Sequence, residues 1–551
     1  MALSRVALPA LAHALIASVA TWPMLTTPTT RLVGHPQVDV WNHAWGGWWF
    51  LQSALQGTFP LYTRMLGAPR GGYLWYIDPW GATFSMPFVA ALGVVAAWNL
   101  LIFAYVCLAS VAGRSLALSL GASRSSAWLA AVATGLSPYV ASEIHNGISE
   151  AVGVGWAVLS LAALGRATRE GATLRDWAWV GLWGGVTAVG TVYYALGLAI
   201  TALPVMLFAV ARRSSRPLLG VATGAAVAAA IAGPAAYMVR LTIANPARAL
   251  IDRPNEPIEN QVVFNLLAHN ASDPRSFYMP GDFQSVDLTV FGEMFRHTSY
   301  IGVVVLVLAL VSRRWVWLGA AALTLTFSLG PYLYVRGDWY RMGEQVVALP
   351  YRLLFEFLPT NALGHPQRVV FPGLAVIYAL AAVTLARAPR WAAAAVAAAV
   401  AAEFLVASPS PWPISRTEAF VDPPAEYIRD AVRDDPARAG IVFDLPSGGF
   451  GLGMLTSRYL LLQTIHGQPI PYAPDVRASG CKLGSEAAGV LLRRDAEAAA
   501  LVTEAALAQS GVRFVVTHGE MADTTVEDAM LVAVLGEPTR VGQTAIYRVD
   551  P

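Results

Sequence analysis

The sequence predicts a mainly α membrane protein: a polytopic helical bundle of about 11 spans over residues 1–410, then a small C-terminal α/β soluble domain over 411–551. Three observations carry that prediction. Only 13% of residues are charged and 56% are hydrophobic, with mean hydropathy +0.51, whereas a soluble domain carries roughly 25% charged residues. Before residue 410, apolar runs recur that are long enough to cross a hydrocarbon core, about 20 residues each. Then Pro409-Ser-Pro-Trp-Pro413 interrupts the pattern, because closely spaced prolines cannot continue a helix, and the composition turns soluble.

In chain order, the first span covers 6–26. The stretch 81–94 is apolar but short and interrupted by Pro87, so it reads as an interfacial or re-entrant helix. Full spans follow at 97–113, 126–142, 148–165, 176–191, 193–211, 217–239, 298–312, 315–334, 368–386 and 391–408. With Arg5 inside, Arg114/Arg124, Arg166/Arg169/Arg175, Arg212/Arg213/Arg216, Arg313/Arg314 and Arg387/Arg390 all fall in cytoplasmic loops, as the positive-inside rule requires. Segments 27–96, 240–297 and 335–367 then face outward, with everything after about 410. A cleavable leader ending near Ser18-Val-Ala20 competes for the first run; it would remove one helix and leave the remaining topology unchanged.

In the tail, 424–434 reads as a helix, 441–445 as a buried strand, 485–510 as an Ala-rich helix, 512–517 and 544–548 as strands, and 525–535 as a helix. Alternating short strands and helices predict an α/β layer domain. Ser447-Gly-Gly-Phe-Gly-Leu-Gly453 lacks the order of a phosphate-binding loop and reads as a plain loop. His466 and His518 have no companion at metal-ligand spacing and read as surface or packing histidines. Cys107 lies in an apolar run and Cys481 in the tail, so no disulfide or zinc site follows. A net charge of +2 suggests no nucleic-acid partner.

The chemistry-bearing residues gather in the outward segments. Asp39 and His43 are four apart, so on a helix they share a face and converge on one proton or cation. Around them Trp41, Trp45, Trp48 and Trp49 form either a substrate mouth or an interfacial aromatic belt. Asp78 precedes Pro79 and is either a site residue or a helix cap. Glu143 and His145, with Asn146 and Glu150 behind, end the third span near membrane depth, where ionisable groups are costly. Arg352, His365 and Arg368 precede a long span on the outer side, against the charge trend. A guanidinium fork there suits phosphate oxygens, or else pairs a structural carboxylate. The 240–297 segment adds Asp252, Arg253, Glu256, Glu259, His269, Asp273, Asp282, Glu293 and His297, a polar covering loop without an evident catalytic member.

These residues resemble the GT-C class of membrane glycosyltransferases. The likeness rests on Val38-Asp39-Val40 in the first outer loop, Ser137-Pro-Tyr139…His145-Asn…Glu150, the Tyr193-Tyr194 pair and Leu358-Pro…His365-Pro-Gln-Arg368. The class often shows paired acids where this chain has Asp39 alone, which leaves use of a divalent cation open. The resemblance implies a polyprenyl-phosphate-linked sugar donor, Asp39 as general base in an inverting displacement, and Arg368 or Arg352 stabilising the phosphate. It also implies that His43 or His145 orients the acid or helps hold a cation. Asp78, Glu143, His365 and Trp45 would contact substrate, with the donor's lipid in a groove between spans whose mouth the tryptophans line. High Ala, Arg and Gly content points to a GC-rich bacterium, hence an inner-membrane protein with a cytoplasmic N-terminus and a periplasmic or extracellular tail. A non-catalytic assembly or glycan-binding protein, or a lipid-linked-glycan transporter, remains the alternative; sugar and acceptor are open.

Overall fold

The structure, a computed structural model, describes residues 2–36, 38–74, 77–212, 216–245, 250, 257–260, 264, 267–281, 295–358, 363–409, 412–419, 422–446, 453–473 and 481–550. Helix α1 (Ala2–Ala20) leads through strand β1 (Arg31–Val33) to α2 (Val40–Leu55) and the long α3 (Pro79–Leu120). Then come α4 (Ala127–Gly135), α5 (Pro138–His145), α6 (Ser149–Val152), α7 (Gly155–Ala167), α8 (Leu174–Gly190), α9 (Val192–Arg212) and α10 (Arg216–Ala244). Beyond residue 302 follow α11 (Val303–Val311), α12 (Trp315–Ser328), α13 (Phe371–Thr384) and α14 (Arg390–Ala407).

Six stretches among the described residues are long and apolar enough to cross a membrane: Pro79–Leu120, Ser149–Ala167, Val192–Arg212, Leu218–Leu241, Pro366–Arg387 and Arg390–Ala407. Ala7–Ala20 and Trp315–Ser328 are shorter apolar helices. This is a multi-pass membrane protein. Helix α13 lies at its centre, since every residue from Phe371 to Ala382 is buried, the mark of a helix enclosed on all sides. The outward surfaces of α9, α11 and α14 instead expose Leu203, Leu207, Val307, Leu310, Trp391 and Val406, as lipid contact requires.

The helices depart from the expected spans where local chemistry breaks them. The stretches 81–94 and 97–113 join in α3, which bends at Gly93, whose backbone leaves the helical region (φ 81°, ψ 169°). Before the bend, Ser85 and Val89 pack on Gly47 of α2; beyond it, α3 packs on α4 and α7. The run 126–142 divides into α4 and α5 ahead of Pro138, which opens α5 where its missing N–H costs nothing.

In the tail, β2 (Arg416–Glu418) precedes α15 (Pro423–Asp434), β3 (Ile441–Leu445), α16 (Gly453–His466), α17 (Glu486–Arg493), α18 (Glu504–Gln509), β4 (Val512–His518), α19 (Thr525–Leu535), β5 (Thr539–Val541) and β6 (Thr544–Arg548). The sheet order is β5-β6-β4-β3, with β3 and β4 parallel and the other pairs antiparallel. The Ala-rich helix expected over 485–510 is three pieces. Arg494 turns left-handed after α17, Asp495 caps a short 3-10 turn over Ala496–Leu501, and Thr503 caps α18. Side chains that hydrogen-bond the local backbone outcompete the helix propensity of the alanines. Of the glycine cluster 447–453, only Gly453 lies within the described residues.

The tail is stitched to the membrane part. Strands β1 and β2 pair antiparallel, with Arg31 to Glu418 at 2.6 Å, and Gly67 N–H donates to Tyr472 O at 2.9 Å. One hydrophobic core contains Trp45, Trp48 and Trp49 of α2 together with Tyr459 and Leu460 of α16 and the inner residues of β3 and β4.

His466 and His518 are both buried, and His518 is far from a surface residue. Its Nε2 lies 2.9 Å from Asp444 Oδ1 and its Nδ1 3.3 Å from Glu520 Oε1. Burial opposes the imidazolium, but these two carboxylates outweigh it and push His518 up to about 9. A group raised in the folded state stabilises fully below its unfolded value, near 6.5, and loses that contribution as pH climbs through about 9. The thermal midpoint of the purified chain should therefore fall between about pH 7 and 10. His518→Gln should lower it at neutral pH, by the equivalent of about 3–5 kcal/mol for a broken buried pair, and flatten the alkaline slope. An unchanged slope in that variant would show that another group titrates.

Candidate functional site

The site begins at the N-terminus of α2. Asp39 occupies the N-cap position without a capping bond from its side chain; Asn42 Nδ2 instead donates to Asp39 Oδ1 at 3.1 Å. One turn on, His43 Nδ1 lies 3.2 Å from Glu150 Oε2 on α6, an ion pair when the imidazole is protonated, although the angle is not that of a hydrogen bond. Asp39, Asp78 and Arg368 are also within electrostatic reach of His43. Helix α5 supplies Glu143, buried, whose Oε2 is 4.0 Å from Arg368 Nη2. The Arg368 guanidinium lies 5.9 Å from the Tyr193 ring centroid, and its buried Nε donates to nothing among the described residues.

Two glycines permit this convergence. Gly147, between α5 and α6, has φ +67°, and a Cβ there would meet the Val40 backbone at 2.5 Å. The turn therefore closes on α2, where Asp39 N–H donates to Asn146 O at 3.2 Å. A Cβ on Gly197 would strike Val369 O at 2.3 Å, so its absence brings α9 against the 3-10 turn Pro366–Val370 that holds Arg368.

Of the residues singled out in the sequence, Asp39, His43, Asp78, Glu143 and Arg368 come together. Asp78, however, is committed to structure: its Oδ1 accepts from Gly81 N–H at 2.9 Å, capping α3, and its Oδ2 accepts from Tyr105 Oη at 2.7 Å. His365 stands edge-on to Tyr193, with ring centroids 5.6 Å apart, beside Arg368. His145 turns toward the β1–β2 region, stacked on His35 at 4.9 Å with Nδ1 3.3 Å from Ser415 Oγ. Arg352 is held elsewhere, by Tyr332 Oη at 3.1 Å, Glu259 at 3.3 Å and Glu356 at 3.4 Å, the structural-carboxylate pairing.

Trp45 corrects the expected aromatic mouth. It is fully buried, stacked on Trp49, and its Nε1 donates to Gln463 Oε1 of α16 at 2.7 Å. It fastens the tail to α2 and leaves no face for substrate. Trp45→Ala should cost about 3–5 kcal/mol and leave Gln463 Oε1 without that donor. A large drop in the detergent-solubilised thermal midpoint is the expected outcome, with Trp45→Phe intermediate.

Glu150 joins the site although the sequence pattern placed it only behind Glu143. The signal that finds it is the general cost of a carboxylate at membrane depth. In the 240–297 segment, Asp252, Arg253, Glu256, Asp282 and Glu293 lie outside the described residues. Asp273 pairs with Arg275 at 2.8 Å, and His297 Nδ1 lies 3.2 Å from Gln367 Nε2, with the His269 ring 5.4 Å away. Among the described residues, no three His, Cys, Asp or Glu side chains form a set that could hold a metal ion, so no step is routed through one. What the arrangement offers is a partly exposed carboxylate that can take a proton and a buried guanidinium that can face an anion, both within electrostatic reach of His43.

No family model and no curated protein sequence matches the chain. Solved structures share its architecture, among them two membrane glycosyltransferases. The archaeal oligosaccharyltransferase AglB from Archaeoglobus fulgidus, in complex with an inhibitory peptide and a dolichol-phosphate, superposes with TM-score 0.50 at 12% identity, over 96% of this chain and 71% of AglB. The arabinofuranosyltransferase AftD from Mycobacteria gives 0.51 at 17% identity, over 100% of this chain and 40% of AftD, so this chain spans less than half of AftD. At such identities the likeness is one of fold, and the chain has the GT-C fold of polytopic membrane glycosyltransferases.

Proposed function

We propose that this protein is an integral membrane glycosyltransferase that moves a sugar from a polyprenyl-phosphate donor to an acceptor on the extracytoplasmic face. The observation that carries the proposal is Arg368, a buried guanidinium with an undonated Nε, in the same cluster as Asp39 and within a glycosyltransferase fold. On this reading Asp39 removes the proton of the acceptor hydroxyl as its oxygen attacks the anomeric carbon. The bond from that carbon to the phosphate oxygen breaks, and the phosphate leaves with the electron pair. Arg368 faces the charge that develops there, and preorganised electrostatics of this kind usually contribute the largest share of catalysis. His43, braced by Glu150, orients Asp39.

The outward direction rests on the positive-inside pattern of the arginine loops. A bacterial cytoplasmic membrane, with the tail on the periplasmic or extracellular side, completes the proposal. The acceptor and the sugar are left open.

Native mass spectrometry of the chain purified in mild detergent tests this. A co-purifying polyprenyl phosphate, or its sugar adduct, is expected. If only bulk phospholipid remains bound even after polyprenyl phosphate is added, the chain is a non-catalytic assembly or glycan-binding protein instead.

A further inference from the structure

We propose that Arg296 is a second guanidinium of this site and that Arg296 and Arg368 together hold one phosphate monoester. The inference rests on the function proposed above and deepens it by assigning a binding residue in the second outer segment. Asn146 fixes the position. Its fully buried amide grips residue 296 from both sides, Oδ1 accepting from Arg296 N–H at 2.8 Å and Nδ2 donating to Arg296 O at 2.7 Å. The same residue's carbonyl takes the Asp39 N–H at 3.2 Å. The backbone of residue 296 is thereby latched to the corner where Asp39 stands.

A second contact ties it to Arg368. His297, next to Arg296, lies with its Nδ1 3.2 Å from Nε2 of Gln367, the residue before Arg368, and His297 is within electrostatic reach of Arg368. The two arginines thus flank one side-chain contact. Arg296 also acts electrostatically on His35, which stacks on His145. Like that of Arg368, the Nε of Arg296 is buried and donates to nothing among the described residues.

A pair of guanidiniums also suits the charge of the ligand. Asp39, Asp78, Glu143 and Glu150 surround His43 and Arg368, so Arg368 alone would face a phosphate from a site rich in carboxylates. A second cation brings the site toward balance for the monoester dianion that the monoanionic diester donor releases, and guanidinium forks match phosphate oxygens geometrically.

The test is a native mass spectrometry titration of the full chain in detergent with farnesyl phosphate, inorganic phosphate and, as the uncharged control, farnesol. Arg296→Ala and Arg368→Ala should each weaken farnesyl phosphate on the order of ten- to a hundredfold, the loss of one charged hydrogen-bonding partner. Farnesol should be unaffected, and Arg296→Lys should recover part of the loss. Inorganic phosphate that binds with the same dependence on both arginines also supports the shared phosphate site and shows that the prenyl chain adds only affinity. Wild-type binding of farnesyl phosphate by Arg296→Ala, with loss in Arg368→Ala, overturns this inference and leaves the proposed function standing. Failure of the wild-type chain to bind either phosphate probe overturns both. Thermal midpoints near wild type for Arg296→Ala and Arg296→Lys are the accompanying control for folding.

Discussion

Asp39→Asn should reduce sugar transfer by about 10²–10⁴-fold, the usual contribution of a general base, while the protein still folds and still binds lipid phosphate. The substitution is nearly isosteric and keeps an oxygen for Asn42 Nδ2, which donates to Asp39 Oδ1 at 3.1 Å, so the start of α2 should survive. What it removes is the ability to take a proton. The expected signature is a collapse of kcat with donor affinity little changed, because no binding contact to the leaving phosphate is altered. Transfer at the wild-type rate by Asp39→Asn would remove Asp39 from the mechanism and favour the non-catalytic reading.

Arg368→Ala should act on binding and on turnover together. Losing a preorganised charge at the leaving group costs about 10²–10³ in rate where such groups have been removed. It also strips Glu143 of the guanidinium 4.0 Å away and leaves a buried carboxylate without that partner, so the variant is expected to lose stability as well. The double variant Arg368→Ala/Glu143→Gln separates the two effects. It should recover the thermal midpoint without recovering transfer. Arg368→Lys should fold well and transfer poorly, since an ammonium retains the charge but lacks the planar fork. If the double variant transfers as wild type does, Arg368 serves only to compensate Glu143.

The site residues were legible in the sequence to unequal degrees, for physical reasons. Asp39, Glu143 and Arg368 stand out because charged groups are rare and costly in so apolar a chain. Arg352 carries the same signal and means something else: Glu356 is four residues on, but its other two partners, Tyr332 and Glu259, come from segments whose approach cannot be read from spacing. Trp45 looks like an interfacial aromatic and is a buried strut, because the tail folds back onto α2 and Gln463 meets its indole N–H. Glu150 and Arg296 carry little meaning by position, and acquire it only where α6 meets His43 and where Asn146 grips the backbone of residue 296.

The sequence by itself determined the fold class, the apolar multi-pass character of the chain and several of the tail's strands and helices. Hydrophobic runs, arginine-rich loops, the prolines at 409–413 and the alternation of strands and helices are local or compositional signals, and each acts wherever the chain goes. The α5–α6 turn closing on α2, the meeting of Glu143 with Arg368, the burial of His518 between Asp444 and Glu520 and the docking of the tail on the tryptophans were decided by tertiary structure alone. Each of these joins residues from different segments. Their energy comes from burial and charge pairing across space, which no local pattern in the chain encodes.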